Sequence, residues 1–468
     1  MFKKAPILVD YSINHREFQG NTERELEKFV GISMYSTSQL KGINGIYKNT
    51  YKDFIVKEIT GEGNILEIKE DTPITHYFED TKYNYTTFNL IKINRDTFEV
   101  VRLLSKFLNI PVELIYYSGL KDKVSLSVQQ FSIKGNYIDQ LKKFKYKDIF
   151  IRNVIPTKKS VKIGSNWGNN FTIILRDIDP KKSSLSHIQK ILRILQEKGF
   201  PNYYGLQRFG TFRPNSHLVG RYILEENFKE AFDEIVLNTY STENGESQKL
   251  RRKLRKTGDF ENLYEKFPNS LNYEKILIKS IISSPEDYEK AIKKLPRYLI
   301  KLLISSFQSY LFNKMITLRV KKGYSLFSPE KGDVISILDD EGGHLTKVKY
   351  IFGGAYDDFL KEAITLNRAR IVIPLIGYDT KLEEFPFMAQ LLREVLSIED
   401  ISHKVFQNPM LVDYDFKGSY RAMIVKPIGL KLLEYEADNA LKRKNKLKLE
   451  FSLKRGSYAT MLLREVMK

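Results

Sequence analysis

Apolar positions along the chain recur at helical spacing in some segments and alternate with polar positions in others. Segment 95–111 predicts a helix that Asp96 or Thr97 can cap and that Pro111 closes. Its apolar residues share one face: Val100, Val101, Leu104, Phe107 and Leu108. Residues 299–318 carry a longer apolar stripe at helical spacing, which predicts a helix that packs mostly into a core.

Other segments alternate with the period of a strand. Strands are expected at 54–59, 113–119, 124–129, 168–179 and 447–453, and further helices at 187–196, 248–256 and 457–468. Residues 320–420 mix short apolar runs with turn residues, which predicts short strands and turns. This mixture of strands and helices indicates an α/β (α+β) protein.

Length and composition indicate a folded protein of two domains. A chain of 468 residues is too long for one ordinary core. Its 42% hydrophobic and 28% charged residues are typical of soluble proteins, and no apolar run is long enough to span a bilayer. Two lysines open the N-terminal segment, but Asp10 interrupts it before a signal core forms, so we expect a cytoplasmic protein without a membrane partner.

The charge balance points to a polyanionic partner. There are 76 basic and 57 acidic residues, which give a net charge of +19. Nucleic acid is favoured over a membrane, and three basic runs at 142–152, 248–256 and 441–455 could follow a phosphate backbone. The alternative is a lysine-rich, thermophile-like composition in which these runs are solvated faces.

Several classes of chemistry lack the residues they need. The absence of cysteine excludes disulfides, thiolate nucleophiles and Cys-ligated zinc. The six histidines are scattered without metal-ligand spacing, so we expect no metal. Neither a G-x-x-x-x-G-K-[ST] loop nor a G-x-G-x-x-G after a strand occurs, so we expect no nucleotide or dinucleotide cofactor.

A single acid stands out in the segment "YYSGLKDKVSLSVQQF", residues 116–131. Asp122 lies between Lys121 and Lys123, where an apolar run ends and alternation resumes. A carboxylate that acts as nucleophile or base in a water-poor pocket needs neighbouring cations to stay ionised. The alternative interpretation, a solvated surface turn, is the one that this stretch alone favours, since charged turns are common.

The loop "GFPNYYGLQRFGTFRPN", residues 199–215, carries groups that suit a nucleobase. Asn202 offers paired donor and acceptor groups for a base edge, and Tyr204 offers a flat face for stacking. Arg208 could bind phosphate or pair with a buried acid. A loop pinned by aromatic packing is the alternative.

Six stretches in this order resemble the TruD family of pseudouridine synthases, in its archaeal type. They are "KNTYKDFIVKEI" (48–59), "SGLKDKVSLSVQQF" (118–131), "GNNF" (168–171), "PNYYGLQRFG" (201–210), "SSFQSYLFN" (305–313) and "FSLKRGSYATMLLRE" (451–465). They are spread along nearly the whole chain. Val124 departs from the histidine that is frequent in bacterial members.

The resemblance implies that the protein converts a uridine in RNA to pseudouridine. The expected RNA is tRNA, with position 13 as the target. The expected enzyme is a monomer that needs no metal, cofactor or ATP. Asp122 matches the catalytic aspartate, and Lys48 matches the active-site lysine that could keep this acid ionised or orient it. The residues implied to line the uridine site are Phe54, Gln129 in a supporting role, Asn202, Tyr204, Arg208 and Tyr458. Strand alternation would direct Lys121 and Lys123 away from Asp122.

The resemblance also implies the domain organisation. A catalytic core of residues 1–225 and 424–468, with a mixed, largely antiparallel sheet, would enclose an inserted α/β domain, 226–423. The active cleft would lie between core and insert, flanked by the basic runs at 248–256 and 441–455.

Three alternatives remain. The first is a pseudouridine synthase for another RNA, such as rRNA or a pre-tRNA. The second is an RNA-binding protein that has lost catalysis, which the presence of Asp122 and Lys48 disfavours. The third is a methyltransferase-type RNA enzyme, which the missing glycine-rich loop disfavours.

Overall fold

The computed structural model describes residues 25–69, 84–339 and 343–468. The N-terminal segment with Asp10 lies outside these residues. Within them the strands are β1 Phe54–Ile59, β2 Tyr85–Ile93, β3 Ile115–Tyr117, β4 Leu126–Lys134, β5 Ile149–Thr157, β6 Gly168–Ile178, β7 Phe200–Pro201, β8 Val334–Leu338, β9 Leu345–Ile351, β10 Ala369–Leu375, β11 Ser419–Ala422, β12 Ile424–Val425, β13 Ile428–Ala437 and β14 Asn445–Lys454.

The α-helices of the described residues follow the same chain order. They are α1 Glu25–Phe29, α2 Thr97–Leu108, α3 Ile138–Lys143, α4 Leu185–Glu197, α5 Ser216–Leu224, α6 Phe228–Val236, α7 Gly245–Thr257, α8 Phe260–Tyr264, α9 Asn272–Ser283, α10 Tyr288–Lys293, α11 Arg297–Lys321, α12 Asp358–Thr365, α13 Pro386–Ile398, α14 Met410–Asp413 and α15 Ala459–Met467.

The chain divides into two compact units, and each is considered by itself. We call Ser36–Phe200 with Val425–Lys468 the sheet unit. We call Met1–Tyr35, described from Glu25, with Pro201–Ile424 the helical unit. The predicted domains, 1–225 with 424–468 and 226–423, are a different division of the chain and stay a prediction.

The sheet unit is organised around one eight-stranded sheet in the order β13-β14-β6-β1-β4-β2-β5, with β3 paired to β4. β1 and β4 run parallel, and the other paired strands of this sheet are antiparallel. This confirms the predicted mixed, largely antiparallel sheet. α2 and α3 contribute Val100, Leu104 and Leu141 to the same core cluster as Phe88 of β2 and Phe131 of β4.

The helical unit combines a small sheet with a long helix. The sheet has the order β11-β10-β8-β9. α11 is the predicted apolar helix, and its buried residues include Ile304, Phe307 and Leu311. α13 was not predicted, because residues 320–420 gave an expectation of strands and turns, although Met388, Leu391, Leu392, Val395 and Leu396 repeat at helical spacing and are buried.

Most predicted elements of the sheet unit are present. Asp96 caps α2, where its carboxylate accepts hydrogen bonds from the backbone N–H groups of Phe98 and Glu99. Phe107, expected on the buried face, is 46% exposed and packs edge-on against Phe144. No helix in the described parts of the chain combines the length and the apolar character needed to cross a membrane.

Candidate active site

Asp122 lies in the loop that connects β3 to β4, residues 118–125, which we call the Asp122 loop. The Nζ atom of Lys48 is 3.2 Å from its Oδ2 atom. The side chain of Lys48 is 15% exposed and that of Asp122 is 37% exposed, so solvent can reach the carboxylate. The structure thus brings together two residues that are far apart in the sequence.

The parallel pairing of β1 and β4 explains this meeting. Ile55 at the start of β1 pairs with Leu126 at the start of β4. Parallel neighbours begin at the same edge of a sheet, so the segments that precede them, with Lys48 and Asp122, lie at that edge.

Local structure holds Lys48 in place. Its backbone has φ 59°, the left-handed region that a residue with a side chain rarely occupies. Its ammonium lies 4.2 Å from the centre of the Phe54 ring, which is 1% exposed, and this cation–π contact directs the side chain. Phe54 also packs edge-on against Phe171. In this arrangement Phe54 positions Lys48, and it presents little free surface to a base.

The residue that precedes Asp122 is anchored by a buried ion pair. The Nζ atom of Lys121 is 2.6 Å from Oε2 of Glu58 in β1, with side chains 4% and 1% exposed. The Glu58 carboxylate also accepts hydrogen bonds from the hydroxyl of Ser118 and from the backbone N–H of Gln130. Lys121 therefore points away from Asp122, and it fixes the loop instead of pairing with the acid.

Three more buried side chains hold the backbone of the Asp122 loop. Lys92 of β2 donates from Nζ to the carbonyl of Asp122 at 2.6 Å, and Ser125 donates to the same carbonyl at 2.7 Å. Gln129 of β4 donates from Nε2 to the carbonyl of Gly119 at 2.8 Å. Because each donor lies on or next to a sheet strand, the loop inherits the rigidity of the sheet.

The polar face of β4 is buried. Ser125, Ser127 and Gln129 are all 0% exposed, although their alternation with apolar residues is typical of a half-buried strand. In the register of β2 with β4, Lys92 lies opposite Ser127, and Leu90 lies opposite Gln129. Both pairs lie on the face of the sheet that also carries Phe88 and Phe131. This face is apolar under α2 and polar towards the Asp122 loop.

Lys92 is a residue that sequence reasoning missed. Burial lowers its pKa from 10.5 to about 8, an effect that the nearby Asp122 and Asp96 oppose and Lys121 and Lys48 reinforce. The signal in the sequence was a lysine inside the mostly apolar run "FNLIKI". The buried ammonium stabilises the backbone here, because it donates hydrogen bonds to the carbonyls of both Asp122 and Arg95.

The lowered pKa of Lys92 predicts an alkaline change in stability. Between about pH 8 and pH 10.5 the folded protein has released this proton while the unfolded chain still binds it, so the free energy of unfolding rises with pH in this window. Lys92→Met lacks this contribution. The wild-type protein should gain about 3 kcal/mol relative to Lys92→Met from pH 7 to pH 10.5, measured by urea unfolding at both values. A constant difference between the two proteins would contradict the lowered pKa.

Tyr458 belongs to the same unit. It is the N-cap residue of α15 and follows β14 after a short turn, residues 455–457, and it is partly buried. β14 is separated from β1 only by β6 in the sheet order.

The predicted loop residues Asn202, Tyr204 and Arg208 lie in the helical unit. The Nδ2 group of Asn202 donates to the carbonyl of Ala422 at 2.8 Å, and its Oδ1 atom accepts from Nη2 of Arg421 at 2.5 Å. The Arg421 guanidinium also lies 4.2 Å from the centre of the Tyr204 ring. Arg421, which no sequence signal singled out, therefore links the two predicted base-binding residues.

The backbone of this loop is fixed by α11. Asn313 accepts from the N–H of Tyr204 at 2.9 Å and donates to its carbonyl at 3.0 Å. Arg208 donates from Nε to the hydroxyl of Ser309 at 3.2 Å, so among the described residues it pairs with a hydroxyl and not with a buried acid. The stretch 305–313 that resembled a family motif is thus the support of the loop.

The described residues contain no group of three or more His, Asp or Glu side chains that could hold a metal ion. The candidate site in the sheet unit consists of a carboxylate, an ammonium and a rigid loop. Such a set can orient a carboxylate towards a bound nucleotide and balance its charge.

Comparison with known proteins identifies relatives across almost the whole chain. The family described as tRNA pseudouridine synthase D (TruD) matches residues 29–466. A Methanosarcina mazei protein described as a probable tRNA pseudouridine synthase D is 32% identical, over 95% of this chain and 98% of its own. One from Methanocaldococcus jannaschii is also 32% identical, over 93% and 98%. A Methanosarcina mazei crystal structure, described as a candidate TruD, has a TM-score of 0.75 and 30% identity and covers 95% and 98% of the two chains.

Proposed function

The chain belongs to the TruD family of tRNA pseudouridine synthases, and we propose that Asp122 is the carboxylate with which it converts a uridine of tRNA to pseudouridine. The observation that supports this assignment is the Lys48–Asp122 pair at 3.2 Å, on a loop that buried side chains hold in place. Asp122 is the member of this cluster whose carboxylate is partly exposed, whereas Glu58 is buried.

The reaction is an isomerisation, so its atoms balance without a co-reactant. The bond between N1 of uracil and C1′ of the ribose breaks, the base turns, and a bond forms between C5 and C1′. The hydrogen on C5 is lost as a proton, and N1 gains a proton. Asp122 would act at the sugar as a nucleophile or as a base, while Lys48 orients it and balances its charge.

The uridine must leave the base stack to reach Asp122, which costs a few kcal/mol. Aromatic contacts worth about 1–3 kcal/mol per base can replace the lost stacking. We assign this role to Tyr204 and Tyr458, and we assign to Asn202, whose amide is buried and bonded to Ala422 and Arg421, the support of the loop that carries Tyr204. Arg421 supports Asn202 and Tyr204, and Phe54 and Gln129 act through Lys48 and the Asp122 loop.

The finer details remain predictions from the sequence. They are tRNA position 13 as the target, a monomeric state, independence of metals and cofactors, and a cytoplasmic location. A pre-tRNA or an rRNA as substrate is the alternative to mature tRNA.

Site-resolved pseudouridine mapping tests the proposal. Total RNA from a strain that lacks the gene would be incubated with the purified protein, treated with carbodiimide and sequenced from the reverse-transcription stops. We expect one new pseudouridine in tRNAs, at position 13. New sites only in rRNA or precursors would support the alternative substrate, and no new site in any RNA would contradict the proposal.

A further inference from the structure

The three basic runs of the sequence differ in how their charges are used. In the run 441–455, Lys444 pairs with Asp177 at 2.8 Å, Lys446 with Glu436 at 2.9 Å and Lys448 with Glu434 at 2.6 Å. Lys446 and Lys448 pair across the β13–β14 edge of the sheet and Lys444 pairs with β6, so these three charges are already balanced. The sequence-based expectation that this run holds RNA is therefore weakened by its cross-strand pairs.

The run 248–256 lies on α7 of the helical unit. Arg251 at its centre is buried between Glu243 and Glu274, at 2.7 and 2.6 Å. The other basic residues are exposed: Lys249, Arg252, Lys253, Arg255 and Lys256. This helix remains a candidate RNA contact of its own unit.

The run 142–152 connects α3 to β5 in the sheet unit and keeps its charges available. Lys142, Lys143, Lys145 and Lys147 are all exposed. Asp139 approaches Lys142 to 4.0 Å, and within the described ranges no carboxylate lies at ion-pair distance from the other three lysines. Two aromatic rings are exposed among them, Tyr146 at 43% and Phe150 at 53%.

A chain of contacts joins this run to the candidate catalytic acid. The Arg95 guanidinium lies 5.2 Å from the centre of the Tyr146 ring. The carbonyls of Arg95 and Asp122 accept from the same Lys92 ammonium, at 2.8 and 2.6 Å. Arg95 itself is paired with Glu99, so it serves as a link and not as a free cation.

We propose that Lys142, Lys143, Lys145 and Lys147, with Phe150, form an RNA-binding surface of the sheet unit, which we call the α3–β5 surface. The α3–β5 surface binds the phosphates of the nucleotides that flank the target uridine, and Phe150 stacks on one of the bases of these nucleotides. The proposal rests on the proposed function, because it takes the polyanion to be the substrate RNA. Exposed cations interleaved with aromatic rings are the groups that bind single-stranded RNA without base readout.

Charge reversal with a matched control tests the surface. The variant changes Lys142, Lys143, Lys145 and Lys147 to Glu. The control changes Lys181, Lys182, Lys190 and Arg193 to Glu, four exposed residues on and before α4, which packs against β13 at the opposite edge of the sheet. Both variants alter the net charge equally.

Binding is measured by fluorescence anisotropy with a labelled tRNA transcript between about 50 and 200 mM salt. We expect the α3–β5 variant to raise Kd at least tenfold and to flatten the slope of log Kd against log salt by about 3. The control should stay within about threefold of the wild type. Equal weakening by both variants would show a general charge effect and overturn the proposal, as would unchanged binding by the first.

A substitution of the aromatic ring tests the stacking contact. Phe150→Ala should weaken binding about tenfold, and Phe150→Tyr should restore it, because both aromatic side chains offer a stacking face. Equal affinity of the Ala and Tyr proteins would remove Phe150 from the surface. These measurements need no turnover, so a failure of the proposed reaction would appear in the mapping experiment and leave the binding result interpretable.

Discussion

Asp122→Asn should lower the rate of pseudouridine formation by at least about 10³-fold under single-turnover conditions. The amide has nearly the shape of the carboxylate, but it can neither attack the sugar nor accept a proton from it. The Asp122 loop should keep its position, because its anchors act on the backbone carbonyls of Asp122 and Gly119 and on the side chain of Lys121. The measurement is tritium release from tRNA labelled at C5 of uracil, since that hydrogen leaves in the reaction.

Asp96→Asn is a suitable control for this experiment. Asp96 caps α2 near the same loop and is also acidic, but its carboxylate binds backbone N–H groups and does not bind Lys48. We expect this variant to lose at most about 1–2 kcal/mol of stability and to keep most of its rate. Residual activity of Asp122→Asn within tenfold of the wild type would show that another group performs the chemistry.

Glu58→Ala should reduce the free energy of unfolding by about 3–5 kcal/mol. The change leaves the ammonium of Lys121, the hydroxyl of Ser118 and the N–H of Gln130 without their common acceptor in a buried place. Because Lys121 adjoins Asp122, the rate of the chemical step should also fall, by about 10²-fold, with little change in KM for tRNA. Urea unfolding and single-turnover kinetics of the same preparations measure both effects.

The double variant Glu58→Met/Lys121→Met separates charge from packing. Removal of both partners leaves no uncompensated buried charge, so it should be closer in stability to the wild type than either Glu58→Ala or Lys121→Met. Its rate should remain low, because the loop has lost its anchor. If the double variant were as active as the wild type, the buried pair would have no positioning role.

The two residues of the Lys48–Asp122 contact could be identified from the sequence, but the strand pairing that brings them together could not. Both residues stand in motifs that resemble the family, and alternation indicated that Lys121 points away from the acid. The contact itself depends on the parallel pairing of β1 with β4, two strands that lie about seventy residues apart in the chain. Local pattern carries no signal for such a pairing.

The anchors of the Asp122 loop were also beyond sequence reasoning. In the sequence, Glu58 is one polar position of a predicted strand, and Lys92 follows the short apolar run at residues 90–91. Their roles follow from burial and from neighbours on other strands. The role of Arg421 likewise depends on the fold, because β11 places its guanidinium beside Asn202. In contrast, α2, α4, α11 and α15 could be predicted to within about three residues of their observed ends, because apolar spacing is a local signal.

The left-handed backbone of Lys48 has a consequence for how this protein could be engineered. A residue with a Cβ atom in that conformation costs about 1–3 kcal/mol, and glycine or asparagine would adopt it more readily. A stability-guided screen would therefore favour replacing the ammonium that faces Asp122. Because we propose that Lys48 orients Asp122, we expect thermostability and turnover to oppose each other at this position, and selection for a more robust enzyme should exclude residue 48 from the library.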